Sequence, residues 1–399
     1  MKPRVVRPPS RRALIGGVAA ALAGGCASAS KTLTNLPRTS EAIERLRAAG
    51  GPGQVFLWRD GRVVVDEGFG PGVGPTSLVP WASASKPTTV ADAMRLAEAG
   101  QVRLTDNVTR FIPTFGQNGK EDVTVWNLMT HTAALGGYDG PLSLPAWDET
   151  IAQIVAAPRT GSRNQGSAPA LSEKRPFYNP AGIWILGEIL RIVHQRPFAE
   201  VIRSEIYAPL GMTDCWNGMP SDQFGRYGAR IVRGGFRGAE GGQGRAAAIA
   251  ARAGVGQARG AGAPQTQRAN ASLSNPAGGA IGPVNQLARF YLMALNAGSL
   301  DGKRLLSPAS VAAMTHEQAS DGGAWTFGLG FNINKRPTRR LAGTEQALRY
   351  GERPSVETWG HNGATGLIAF CDPKARLIAI AIGVPRTFTD GLYDDLRIG

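Results

Sequence analysis

The segment WASASKPTTVADAMRLAEAG, residues 81–100, joins a Ser-x-x-Lys sequence to a helical pattern. From Val90 onward, apolar residues recur at the i, i+3, i+4 and i+7 spacing of one helix face, and Gly100 is a helix stop signal. Ser83 and Lys86 would therefore lie on one face at the start of this helix. Lys86 could then take a proton from the Ser83 hydroxyl, provided that desolvation and the helix dipole disfavour the ammonium form of the lysine.

Ser-x-x-Lys alone is a weak signal, because it arises by chance in many chains and usually marks only a helix start. Ser85, which is adjacent to Lys86, should point elsewhere. Pro87 fits the first helical turn, where its missing N–H has no intrahelical partner. The chain has no Gly-x-Ser-x-Gly sequence, which counts against the nucleophile elbow of α/β-hydrolases.

Two predicted hairpins lie near opposite ends of the chain. Residues 54–70 alternate on both sides of Asp60-Gly61, a pair that tolerates the positive φ angles of a tight turn. Residues 366–384 repeat this pattern around the sequence DPKA. We expect these strands to share one sheet, with helical patterns between them. The predicted fold class is α+β: an antiparallel sheet formed by both chain ends and flanked by helices, plus a helix-rich inserted domain.

The predicted domain boundaries follow from this arrangement. A sheet domain comprises residues 31–110 and 270–399, and a helical domain comprises residues 111–269. Within the helical domain, residues 225–268 are rich in Gly, Ala and Arg, a composition that buries little apolar surface and predicts a flexible insertion. Part of the net charge of +14 lies in this insertion and part in the N-terminus. Because export would also separate the protein from the genome, we expect no nucleic-acid partner.

Residues 1–30 have the organisation of an export signal, with a basic region, a short apolar stretch and then small residues. Arg11 and Arg12 lie in a sequence that resembles a twin-arginine signal. Two processing routes stay open, because residues 27–29 fit signal cleavage whereas LAGGC resembles a lipoprotein box ending at Cys26. We expect a periplasmic or secreted protein, and favour the soluble form over membrane association through lipidation of Cys26.

The cysteines and histidines are few and dispersed. Three cysteines and four histidines predict neither a disulfide scaffold nor a metal site. Cys215 and Cys371 are expected to be separate buried thiols, with a bridge between them left open. His131 is interpreted as a structural residue, because a lone histidine is usually a satisfied packing residue. The oligomeric state is left unassigned.

Five stretches of the chain resemble successive motifs of the serine β-lactamase-like superfamily. They are ASASKPTTVADAMRLAEAGQVRLTDNVTRFIPTF at residues 82–115, VTVWNLMTHTAAL at 123–135, FYNPAGIWILGEIL at 177–190, FGLGF at 327–331 and GHNGATGLIAFCDP at 360–373. Within the superfamily they are most similar to the branch that holds class C β-lactamases, family VIII carboxylesterases and D-stereospecific amidohydrolases. The joint occurrence of these motifs in this order is far more specific than any one of them.

The resemblance assigns three catalytic residues. It implies that Ser83 is the nucleophile and Lys86 its partner, and that Tyr178 carries the proton to the leaving group. The backbone N–H groups of Ser83 and Ala364 would form the oxyanion hole, which meets the negative charge of a tetrahedral intermediate.

The third motif of the family corresponds to His361, Asn362 and Gly363, which the resemblance makes substrate-binding residues. Lactamases often carry Lys-Thr-Gly here, and esterase-like relatives often carry His-x-Gly. An ordinary histidine is mostly neutral near pH 7, so it would hold a penicillin carboxylate less strongly than lysine. The second motif also departs from the family's Tyr-x-Asn, because Pro180 occupies the asparagine position and Asn179 is shifted by one.

The sequence therefore predicts an exported serine hydrolase that acts through a covalent acyl-enzyme on carboxylic esters or small amides, without a cofactor. A β-lactamase or a D-amino-acid peptidase is the first alternative. A catalytically silent penicillin-binding-like protein that only binds ligands is the second, although Ser83, Lys86 and Tyr178 together argue against it.

Overall fold

The structure of the protein is a computed structural model, which describes residues 36–48, 51–135, 146–159, 170–232, 272–322, 325–335, 350–384 and 388–398. The predicted export signal, Cys26 and residues 233–268 of the predicted insertion lie outside the described residues. Within the described ranges, no helix is long and apolar enough to cross a membrane.

The main sheet is built from strands that come from both ends of the chain. The strands of all sheets in the described residues are β1 (Gly53–Arg59), β2 (Arg62–Phe69), β3 (Val79–Pro80), β4 (Trp216–Asn217), β5 (Ala280–Gly282), β6 (Ser299–Leu300), β7 (Lys303–Arg304), β8 (Ala319–Ser320), β9 (Thr326–Phe327), β10 (Asn332–Ile333), β11 (Trp359–Gly360), β12 (Leu367–Asp372) and β13 (Leu377–Ile382). Eight of them form one antiparallel sheet in the order β2-β1-β13-β12-β11-β10-β9-β8. The first and last long hairpins therefore lie side by side.

Both predicted hairpins are confirmed. Asp60 and Gly61 have φ angles of 48° and 87°, the left-handed conformation that a two-residue turn of this kind requires. Strand β1 pairs with β13 from Gln54 opposite Ile382 to Arg59 opposite Leu377, and this pairing closes the sheet between the two chain ends.

Helices cover the sheet and fill the middle of the chain. They are α1 (Pro37–Ala48), α2 (Lys86–Glu98), α3 (Val125–Met129), α4 (Trp147–Ala156), α5 (Ala181–His194), α6 (Phe198–Ile202), α7 (Phe224–Tyr227), α8 (Val284–Leu295), α9 (Pro308–Thr315) and α10 (Phe388–Asp395). The α+β fold class is thus confirmed, while the division into two domains stays a prediction.

The central strand β13 shows how the core is organised on both faces of the sheet. Ile378 and Ile380 pack into the large core that includes α2, α5 and α8. Leu377 and Ala379 point to the opposite face, where α1 and α10 cover them. Because successive side chains of a strand alternate between faces, a strand covered on both sides must be apolar throughout.

Cys215 and Cys371 are both buried and both free. The prediction of two separate thiols is therefore confirmed.

Candidate active site

The candidate nucleophile lies in a short turn before α2. The sequence places Ser83 in the first turn of the helix, but α2 begins at Lys86 and Ser83 belongs to a 3₁₀ turn, Ala82–Ser85. The physical reason lies at Ala82, whose φ of 46° is in the left-handed region that a regular helix excludes. In a 3₁₀ turn, residues three apart eclipse each other, so Ser83 still faces Lys86.

Lys86 is directed at the Ser83 hydroxyl. Its Nζ lies 2.8 Å from Ser83 Oγ, and the lysine is only 1% exposed, whereas Ser83 is half-buried. Ser85 points away as expected, because its hydroxyl donates to the carbonyl of Ala82 at 2.7 Å. The structure thus brings the lysine to one of the two neighbouring hydroxyls and ties the other to the backbone.

A second short sheet supplies another partner for Lys86. Strand β3 leads into the nucleophile turn and pairs with β5. This pairing places the start of β5 and the segment before it, residues 275–280, beside the start of α2. Lys86 Nζ donates to the carbonyl of Ala277 at 2.7 Å, and the Ala280 N–H donates to Ser85 Oγ at 3.2 Å. Sequence reasoning missed Ala277, because a backbone carbonyl leaves no side-chain signature.

Tyr178 lies next to this pair, with the centre of its ring 5.2 Å from Lys86 Nζ. It comes just before α5, whose first residue, Ala181, donates its backbone N–H to Asn179 Oδ1 at 2.6 Å. The Asn179 side-chain oxygen is therefore committed to the helix. Pro180 offers a substrate no N–H and no side-chain amide, as the sequence indicated.

The third motif packs directly onto the nucleophile turn. A Cβ atom on Gly363 would lie 2.2 Å from the carbonyl oxygen of Trp81, so only glycine allows this approach. The Thr365 hydroxyl donates to the carbonyl of Pro80 at 2.9 Å, which ties the same loop to β3. Ala364, between these two contacts, is therefore carried beside the turn that holds the nucleophile.

The two predicted oxyanion-hole amides are in suitable environments. Within the described part of the chain, the backbone N–H groups of Ser83 and Ala364 donate to no backbone or side-chain acceptor. Ala364 is exposed and Ser83 half-buried. Both amides are thus available to an acceptor from a substrate.

His361 is buried, whereas Asn362 is half-buried. His361 is 2% exposed, its ring centre lies 5.9 Å from that of Tyr178, and its Nδ1 lies 2.9 Å from the Asn362 carbonyl oxygen. Asn362 Oδ1 accepts from the Ala369 N–H at 3.3 Å. Direct contact of these two side chains with substrate stays a prediction.

His131 lies behind Tyr178, with ring centres 4.7 Å apart. Burial, and then the charge of Lys86, lower the pKa of His131 from 6.5 to about 3, against an opposing effect of the Asn179 carbonyl. Its Nδ1 lies 3.2 Å from that carbonyl oxygen. A histidine that stays neutral and packed fits the structural interpretation.

Two further aromatic residues reach Tyr178, namely Trp325, which lies in none of the quoted motifs, and Phe327, which begins the FGLGF stretch. Trp325 and Phe327 stack on its ring, with centres 4.8 and 6.0 Å away.

Among the described residues, no group of three or more His, Cys, Asp or Glu side chains is placed to hold a metal ion.

A buried lysine facing a serine at the start of a helix, beside an antiparallel sheet closed by both chain ends, defines a protein of the serine β-lactamase-like class. The family model described as Beta-lactamase matches residues 40–384. The chain belongs to this family, and the resemblance seen in the sequence is confirmed.

Relatives of known sequence include esterases. The chain is 26% identical over 300 residues to "Esterase/beta-lactamase LipL" of Mycobacterium tuberculosis, covering 67% of this chain and 64% of that protein. It is 26% identical over 180 residues to "Esterase EstB" of Burkholderia gladioli, covering 40% of this chain and 43% of the relative.

Solved structures share the fold. A family VIII carboxylesterase has a TM-score of 0.65 at 22% identity, with 90% of this chain and 97% of that chain covered. A penicillin-binding protein homologue from Caulobacter crescentus has a TM-score of 0.62 at 23% identity, with the same coverage of 90% and 97%. At this identity the likeness establishes the serine β-lactamase fold.

Proposed function

We propose that the protein is an exported serine hydrolase that acylates Ser83 and releases the acyl group to water, with carboxylic esters or small amides as substrates. The observation that carries this proposal is the 2.8 Å approach of Lys86 Nζ to Ser83 Oγ, made by a lysine that is almost fully buried. The names of the relatives support an ester as the first substrate class to test.

Acylation begins with proton transfer from Ser83. The Lys86 amine accepts the hydroxyl proton, and the electron pair of Oγ forms a bond to the carbonyl carbon of the ester. The carbonyl oxygen becomes an oxyanion, which the N–H groups of Ser83 and Ala364 stabilise. The Ala277 carbonyl accepts one N–H of the lysine and so directs the amine towards the serine.

Collapse of this intermediate breaks the bond to the leaving alcohol. Tyr178, beside Lys86, gives its proton to the departing oxygen and regains one from the lysine. A water molecule then attacks the acyl-enzyme with the same groups acting in reverse. The balance is one ester and one water converted to one carboxylic acid and one alcohol, with Ser83 and Lys86 returned to their starting states.

The surroundings of Tyr178 favour an ester over a β-lactam. Pro180 supplies no amide to hold a substrate amide, and the Asn179 side-chain oxygen already accepts from the Ala181 N–H. His361, which is 2% exposed, occupies the position where many lactamases carry the lysine that holds a carboxylate. An ester needs less assistance, because its leaving group departs more readily.

The order of substrates is tested by kcat/KM at pH 7.5 for p-nitrophenyl butyrate and a chromogenic cephalosporin on one preparation, with Ser83→Ala as the blank. We expect much faster turnover of the ester. A cephalosporin value equal to or above that of the ester would favour the β-lactamase alternative. Cephalosporin binding without Ser83-dependent turnover of either substrate would favour the silent ligand-binding alternative.

Export rests on the sequence of residues 1–30, and periplasmic or secreted localisation is part of the proposal. Replacing Arg11 and Arg12 by lysine should retain the full chain inside the cell if the twin-arginine interpretation is right. Replacing Cys26 by alanine separates the two processing routes, because only a lipoprotein would then leave the membrane fraction. Unchanged export of the double-lysine variant would contradict the twin-arginine route.

A further inference from the structure

Tyr178 is held by stacked aromatic rings. The Trp325 ring lies nearly parallel to it, with centres 4.8 Å apart and planes inclined by 7°. Phe327 is also parallel to both, with centres 6.0 Å from Tyr178 and 5.7 Å from Trp325. Offset stacking of this kind favours one relative orientation of the rings.

Contacts with Asp321, which follows β8, hold Trp325, which precedes β9, in a defined position. The backbone N–H of Trp325 donates to Asp321 Oδ1 at 3.1 Å, and the backbone N–H of Asp321 donates back to the Trp325 carbonyl at 3.0 Å. In the paired strands, the hydroxyl oxygens of Ser320 and Thr326 are 2.9 Å apart. Strand β8 is the edge of the main sheet and pairs with β9. Trp325 comes directly before β9, so the sheet edge holds it beside Tyr178.

The hydroxyl of Tyr178 has no such restraint. In the described residues it makes no hydrogen bond, and Tyr178 is half-buried. Ring contacts, not a hydrogen bond to the hydroxyl, therefore set its direction. A proton-transfer group must stay within hydrogen-bond reach of its partners, and a shift of about 1 Å can cost about a hundredfold in rate.

We propose that Trp325 is a positioning residue, which holds Tyr178 at the angle needed to protonate the leaving group. This inference rests on the proposed function and adds to it a residue at the sheet edge that acts through Tyr178. Trp325 itself touches the tyrosine ring and needs no contact with the reacting atoms.

Leaving-group basicity distinguishes positioning from general stability. Ethyl butyrate and p-nitrophenyl butyrate form the same acyl-enzyme, but the ethoxide leaving group needs a proton far more than p-nitrophenolate does. We expect Trp325→Leu to lower kcat/KM for ethyl butyrate by about tenfold or more, and for p-nitrophenyl butyrate by about threefold or less. Trp325→Phe retains a ring and should stay within about threefold of the parent for both esters.

Two further variants guard against a folding effect. Trp126→Leu removes another half-buried tryptophan that makes no ring contact with Tyr178, and it should change neither rate beyond about twofold. Asp321→Ala removes the side-chain acceptor of the Trp325 backbone N–H without removing a ring, and it should show a smaller loss with the same dependence on the leaving group. Melting temperatures of all variants are measured alongside.

The decisive comparison is made in the Tyr178→Phe background, where Trp325→Leu should have no further effect on ethyl butyrate, because the proton donor is already absent. Additive losses in the two backgrounds, or equal losses for the two esters, would overturn the positioning role. If Trp325→Leu does not fold, Asp321→Ala decides by the same two criteria. Failure of the proposed function gives a different result, namely no Ser83-dependent ester hydrolysis in the parent.

Discussion

Two lysines are buried in the part of the chain that the structure describes. Lys86 lies at the N-terminus of one helix, and Lys120 lies beside the C-terminus of another. Lys86 begins α2, and its Nζ lies 5.2 Å from the centre of the Tyr178 ring. Lys120 packs against the end of α4, and its Nζ lies 5.4 Å from the centre of the Phe115 ring. Burial and an aromatic neighbour are therefore common to both lysines.

Their hydrogen-bond partners and helix ends differ. Lys120 donates to the carbonyls of Val155, at 2.7 Å, and Ala157, where the negative end of the helix dipole favours an ammonium. Burial still lowers the pKa of Lys120 from its usual 10.5. Lys86 lies at the positive end of its helix and faces a serine hydroxyl. A buried lysine becomes a candidate base through its hydroxyl partner and its helix end, and burial alone does not make it one.

The largest effect should come from Lys86→Ala. Removing the proposed base should lower kcat/KM for p-nitrophenyl butyrate by about 10²–10⁴-fold, with circular dichroism showing an intact fold. The matched control is Lys120→Ala, which deletes the other buried lysine. Equal losses of activity in the two folded variants would remove the distinction between the two lysines.

Tyr178→Phe should have the next largest effect. It deletes the proton donor and keeps the ring that Trp325 and Phe327 contact, so activity on ethyl butyrate should fall by about a hundredfold or more without loss of stability. Steady-state rates and a melting curve on the same sample provide the measurement. A folded variant within about threefold of the parent would show that Tyr178 carries no proton.

The smallest effect on activity should come from Lys120→Met. The carbonyls of Val155 and Ala157 lose their donor, so the free energy of unfolding in urea should fall by about 1–3 kcal/mol. The kcat/KM for p-nitrophenyl butyrate should stay within about twofold of the parent, because Lys120 contacts none of the predicted site residues. A large loss of activity in a stable variant would contradict its structural role.

Local patterns predicted much of the fold and the centre of the site. Asp60-Gly61 predicted the first hairpin because few residue pairs adopt positive φ angles, and the spacing from Val90 predicted most of α2. The pairing of Ser83 with Lys86 followed from their separation by three residues. These features depend on neighbours in the chain.

The sequence did not identify features that arise only when distant segments meet. The Ala277 carbonyl reaches Lys86 through the pairing of β3 with β5 across about half the chain, and a carbonyl belongs to every residue. Trp325 contacts Tyr178 only because a sheet edge lies beside the start of α5. The start of α2 at Lys86 depends on the left-handed φ of Ala82, which no residue type there indicates.

The central claim, that Ser83 is the nucleophile activated by Lys86, is tested most directly by labelling the folded protein with a fluorophosphonate and locating the adduct by mass spectrometry. We expect a single adduct on Ser83, in the peptide that contains ASASK, and its loss in Ser83→Ala. Labelling should also be much slower in Lys86→Ala and unchanged in Lys120→Met. An adduct on Ser85 or on another serine, or no adduct on folded protein, would contradict the account.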